Sequence, residues 1–193
     1  MHATASRLLL CVLVLAISPI AASEDLRCSE HPRLRVLDFW VGEWTVHVGA
    51  QQVGTNTIEK ELGGCALSER WRGADGTEGR SWFYFDRAMD RWKQVWVTQD
   101  GLRTGGTKEK TELAPAGAEA EVRFQGAYAT DDGSLVADRT TLTALADGSV
   151  RQLIEISADG GETWRTVFDA RYVRSIAAAR EPVPACPDGG AGR

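Results

Sequence analysis

From Trp40 onward the apolar and polar residues of this chain alternate with a period of two, the spacing of a strand with two unlike faces. The alternation predicts strands at Glu43–Val48, Gly54–Glu61, Cys65–Arg72, Arg80–Asp86, Trp92–Thr98, Leu102–Lys108, Ala120–Tyr128, Leu135–Leu145, Val150–Ser157 and Thr163–Val173. The junctions carry turn chemistry: Asp75-Gly76, Asp100-Gly101, Asp132-Gly133, Asp147-Gly148 and Asp159-Gly160 all fall between alternating runs. Sequential hairpins give an antiparallel meander. About ten strands in up-and-down order bury their edges most easily by closing. The expected fold is therefore all-β, a single antiparallel barrel occupying residues 39–174.

The two ends differ from this pattern. Arg7, the apolar run Leu8 to Ile17 and the small residues around Ala22 and Ser23 form a signal peptide over 1–22, too short to span a bilayer. The protein is thus expected to be exported, periplasmic or extracellular, with no integral membrane segment after cleavage. Residues 23–38 form an N-terminal segment with room for one helical turn, Leu34 and Leu37 facing inward. Residues 175–193, rich in Pro and Gly, read as a C-terminal tail. With 22 basic and 27 acidic residues and no Lys/Arg run, nucleic acid is not an expected partner. Cys28, Cys65 and Cys186 remain after processing, in an oxidising compartment. Barrel closure brings the first and last strands together, so the expected pair is Cys28–Cys186, with Cys65 a small buried hydrophobe.

Several strands are apolar or aromatic on both faces. Trp82 and Tyr84 stand opposite Phe83 and Phe85, and Trp92 and Trp96 opposite Val95 and Val97. One set mixes rings with polar groups: Glu69, Trp71, Trp82, Tyr84, Trp92, Gln94 and Trp96. A cavity lined this way suits a ligand with an apolar body and one or two polar atoms. Arg123 and Arg171 are candidates to receive a ligand carboxylate. Alternation leaves open which face points inward, because a one-residue slip exchanges the two.

Gly42-Glu43-Trp44 resembles the Gly-x-Trp signature that opens the first strand of lipocalins and related calycin barrels. The resemblance implies that Trp44 plugs the closed end and that an Arg of the last strand, Arg171 or Arg174, packs over it. Arg171-Tyr172 resembles, without the spacer, the Arg-x-Tyr of fatty-acid-binding proteins. Leu37–Trp44, Ile58–Leu67, Trp92–Val97 and Ser157–Trp164 together resemble a bacterial family of exported lipocalin-like proteins. That resemblance implies a calycin-like barrel and no particular activity. Ser157-Ala158-Asp159-Gly160-Gly161-Glu162-Thr163-Trp164 matches the Asp-box, a hairpin device, so Asp159, Gly161 and Trp164 are expected to serve the fold.

Catalytic signatures are sparse. The sequence holds no nucleophile elbow, phosphate loop or dinucleotide fingerprint. Zinc spacing is absent. His47 is the one histidine in the strands and lies opposite Trp44; with Trp44 inward it points out, which does not suit a haem ligand. No cofactor is expected. Glu69 shares a face with Leu67 and Trp71, so it could be a buried acid or base; pairing with Arg80 is the structural alternative. The leading expectation is an exported binding protein for a small apolar or amphipathic molecule. The alternatives are a barrel isomerase or hydrolase using Glu69, and a structural or interaction module with a filled interior.

Overall fold

Each strand of the protein runs antiparallel to its neighbours in sequence, and the first closes onto the last. The computed structural model describes residues 27–101, 106–113 and 121–175, so the expected signal peptide and all but the first residue of the tail lie outside the described residues. The strands are β1 (Gly42–Val48), β2 (Gln51–Glu61), β3 (Ala66–Gly73), β4 (Glu78–Asp86), β5 (Arg91–Thr98), β6 (Thr107–Glu112), β7 (Glu121–Ala129), β8 (Leu135–Ala144), β9 (Val150–Ser157) and β10 (Arg165–Arg174). They form one closed barrel in meander order, with Thr45 of β1 opposite Val173 of β10. Closure leaves no free edge. The hairpins form for the reason the turn residues suggest: Asp132 and Asp147 each accept the backbone N–H two residues on, from Ser134 and Ser149.

One end of the barrel is packed solid. Short 3₁₀ turns at Pro32–Leu34 and Asp38–Trp40 lay Leu37 and Trp40 across it, both fully buried. Trp40 meets Phe83 edge-on at 5.3 Å, and Phe83 meets Phe124 at 5.6 Å. The Trp44 indole donates to the Trp40 carbonyl at 2.9 Å, and Trp92 donates to the Arg33 carbonyl at 2.8 Å. Arg33 in turn pairs with buried Glu112 at 2.9 Å. Of the two arginines proposed to cover Trp44, it is Arg174 that does so, 4.3 Å above the ring, while donating to the Val41 carbonyl. Its guanidinium occupies the space a side chain at residue 42 would need, a Cβ there falling 2.1 Å from Nη1. With φ at 144° as well, that position requires glycine. The fold is consistent with a calycin- or lipocalin-like barrel.

Three expectations need correction. Cys28 bonds to Cys65, not to Cys186, which lies outside the described residues. The turn Leu62–Gly64 delivers Cys65 to the closed end, where a Cβ at Gly64 would fall 3.3 Å from Ser29, so the bond fastens the N-terminal plug to the β2–β3 connection. The sixth strand lies at Thr107–Glu112 and overlaps the expected Leu102–Lys108 only at its last two residues. It carries no apolar residue, because its inward side chains are Lys108, Lys110 and Glu112. On β4 the inward face is Gly79, Ser81 and Phe83, so Trp82 and Tyr84 point outward, 50% and 42% exposed.

Candidate functional site

Above the packed plug the barrel is hollow. A cavity of about 240 Å³ lies among side chains from β3, β5, β6, β8, β9 and β10. Its rings are Trp71, Trp96, Phe168 and Tyr172, and Trp71 meets Phe168 edge-on at 6.4 Å. Two glycines make room for the indoles. A Cβ at Gly54 would lie 2.6 Å from the Trp71 ring, and one at Gly79 would lie 2.1 Å from the Trp96 ring. β4 runs between β3 and β5, so its small inward residues Gly79 and Ser81 are what permit a large ring on each side.

The polar groups of the cavity form two sets. On one wall Glu69 is opposite Ser81 and accepts from Asn56 Nδ2 at 2.7 Å through Oε1. Its Oε2 is buried and makes no hydrogen bond. Burial raises the Glu69 pKa above the ordinary 4.5; Ser81, Asn56 and the charge of Lys110 oppose that shift without cancelling it. Gln94 donates to Ser81 at 3.0 Å, leaving its Oε1 buried and unbonded. Tyr172 donates to Gln152 at 2.5 Å, and burial followed by the nearby Glu69 charge pushes its hydroxyl well above the usual tyrosine range.

The second set is cationic. Lys110, Gly126 and Asp138 face one another in a row across β6, β7 and β8. With no side chain at residue 126, Lys110 reaches over β7 to Asp138 at 2.6 Å and to the Thr140 hydroxyl at 2.6 Å. Lys108 reaches the same carboxylate at 2.5 Å and lies 4.8 Å from the Tyr128 ring centre. Asp138 is fully buried. Burial lowers the Lys110 pKa, and Asp138 works against that shift.

The cavity thus brings together Glu69, Trp71, Gln94 and Trp96 from the residues singled out in the sequence, and it leaves out Trp92, which is buried in the plug, and four others. Trp82 and Tyr84 face solvent. Arg123 lies outside between buried Val122 and Phe124 and pairs with Glu121 at 2.8 Å. Arg171 lies outside between buried Ala170 and Tyr172 and pairs with Asp147. Neither arginine is placed to meet a ligand inside the barrel. His47 is on the outer face as well, opposite Arg171 in the β1–β10 register. Among the described residues, no group of three or more His, Cys, Asp or Glu is placed to hold a metal ion.

Residues 157–164 form a tight turn between β9 and β10. Asp159 accepts from the Thr163 N–H at 2.9 Å and from the Thr163 and Ser157 hydroxyls, which hold its carboxyl far below the usual range. Trp164 donates to the Gly161 carbonyl and carries Arg139 at 4.0 Å over its face. None of these residues lines the cavity.

Lys108, Lys110, Asp138, Thr140 and Gln152 were not singled out in the sequence. One signal could have found the lysines: a stretch between strands, at alternate positions, with charge where apolar residues belong. No protein-family model matches the chain, and none of the curated proteins matches it. Among the described residues no helix is long and apolar enough to cross a membrane.

Proposed function

We propose that this is an exported binding protein for a small amphipathic molecule held inside the barrel. The observation that carries the reading is the cavity of about 240 Å³, with rings on several sides and an unbonded Glu69 oxygen buried in its wall. The size favours a small ligand. A cavity of about 150 Å³ holds benzene, and drug-sized pockets start near 300 Å³. The occupant is therefore one or two rings, or an equivalent short chain, rather than a long lipid. Flat walls supply apolar contact, and unbonded Glu69 Oε2 and Gln94 Oε1 each cost free energy until a ligand atom or water meets them.

Export is supported by the signal-like N-terminus and by the Cys28–Cys65 bond, which persists in an oxidising compartment. The test is native mass spectrometry of protein purified from the exported fraction, beside an Ile154→Trp variant. Ile154 lines the cavity, so the larger ring fills it. The wild type should carry or take up a small molecule that the folded variant does not. Equal uptake by both, with both folded by far-UV circular dichroism, overturns the reading.

A further inference from the structure

We propose that the ligand is a small aromatic or conjugated anion, its charged group at Lys108 and Lys110 and its flat body against Trp71, Trp96 and Phe168. This rests on the binding reading above and names the charge of what is bound.

Two ammonium groups share one carboxylate, Asp138, at 2.5 and 2.6 Å. The remaining carboxyl in the cavity wall is Glu69 of β3. The charged and titratable groups facing it are Lys110 of β6 and Tyr172 of β10, and neither bonds to it. Its immediate polar neighbours are neutral, Ser81 and the amide of Asn56. Glu69 bonds to neither lysine, so Asp138 is the one carboxylate that the two ammonium groups share. Asp138 alone therefore answers two ammonium groups, and Lys108 is the more accessible of them. A ligand anion supplies the missing counter-charge, whereas a cation would add a third like charge.

The geometry seats such a group with the turn of one side chain. Lys108 is opposite Trp96 in the β5–β6 register, so an anion on the ammonium places its body on the indole. Lys108 is the more accessible of the two cations, its side chain 20% exposed, while Lys110 is 5% exposed. Lys108 is thus the one free to turn from Asp138 to a ligand, with Lys110 remaining to balance Asp138.

Three probes of one shape and different charge test this: 3-phenylpropanoate, 3-phenylpropanamide and 3-phenylpropylamine, titrated calorimetrically against the full mature chain. The anion should bind about tenfold or more tighter than the amide, as one charge-assisted hydrogen bond gives, and the amine most weakly. Lys108→Met should bring the anion down to the level of the amide and leave the amide unchanged. Because Asp138 keeps Lys110, this variant retains its buried pair, and its fold is checked by circular dichroism. Equal binding of the three probes, or tighter binding of the amine, overturns the anion inference and leaves the cavity a binding site. An unchanged anion-to-amide ratio in folded Lys108→Met overturns it as well. If no probe of any charge binds and Ile154→Trp behaves as wild type, both readings fall.

Discussion

Replacing Gly79 with Ala tests whether the cavity exists because a strand was left bare. Gly79 lies on the inward face of β4, and its φ is not in the left-handed region, so alanine can adopt the same backbone. In a strand that exchange ordinarily stabilises by about 0.5–1 kcal/mol, because glycine loses more freedom on folding. Here the added Cβ would sit 2.1 Å from Cη2 of Trp96, 2.4 Å from Cζ2 and 2.9 Å from Cζ3. Those atoms belong to a rigid ring, so the whole indole has to swing, and the open direction is the cavity. Overpacking of this kind costs about 1–3 kcal/mol. Set against the backbone gain, the net expectation is a loss of about 1–2 kcal/mol. Urea unfolding followed by far-UV circular dichroism reads it, with an unchanged slope showing that the unfolded state is unaffected. The decisive control is the same substitution in a Trp96→Leu background. There the ring is gone, and Gly79→Ala should become neutral or stabilising by up to about 1 kcal/mol. An equal loss in both backgrounds, or a gain in the wild type, refutes the idea that Gly79 exists to seat Trp96.

Three further outcomes are expected. Converting Cys28 and Cys65 to Ala should cost about 3–4 kcal/mol, from a separation of 37 residues in the chain-entropy relation, read as a lowered urea midpoint; no change would mean the bond constrains nothing in the unfolded chain. Trp82→Ala, at a ring 50% exposed on the outer face, should cost less than about 1 kcal/mol and leave probe binding intact, so lost binding would show that the register assigned to β4 is wrong. Because the folded-state pKa of Glu69 lies above 4.5, the folded protein keeps a proton that the unfolded chain has released. Its contribution is present below 4.5 and declines as pH rises through the folded value. Glu69→Gln should remove that decline from the pH profile of urea stability, and an unaltered profile would place the titration elsewhere.

The fold was legible because most strands obey one rule, an apolar inward face every second residue, bounded by Asp-Gly turns. The rule misplaced the strand that matters most to the site. Thr107–Glu112 contains no apolar side chain, so a pattern that searches for buried carbon passes over it, although Lys110 and Glu112 are both buried. The register of β4 was ambiguous for the opposite reason, since Trp82 and Tyr84 on one face compete with Phe83 and Phe85 on the other. A steric argument resolves it from sequence. Trp71 and Trp96 stand on the strands flanking β4, and the face between two such rings has to be the one carrying Gly79 and Ser81. Closure of the barrel ends does not decide the cysteine pairing. Gly63 and Gly64 instead turn the chain so that Cys65 meets Cys28 over the plug, with 4.9 Å between their Cα atoms.

The barrel's two halves show that the upper one is not simply a poorer core. Below, the interior is closed by Trp40, Trp44, Phe83, Trp92 and Phe124, and the Trp44 and Trp92 indoles each donate to a backbone carbonyl. Above, two separate features give up stability in the same direction. Gly54 and Gly79 give up side-chain volume, and the row Lys110, Gly126, Asp138 places ions where apolar residues of similar size would hold the fold as well or better. Neither feature is needed to close the meander, which the hairpins and the β1–β10 pairing accomplish. Space without charge would suit any apolar guest, and charge without space would be a structural ion pair. Found together, beside an unbonded carboxyl oxygen, they are what the proposed binding reading asks of that half of the barrel.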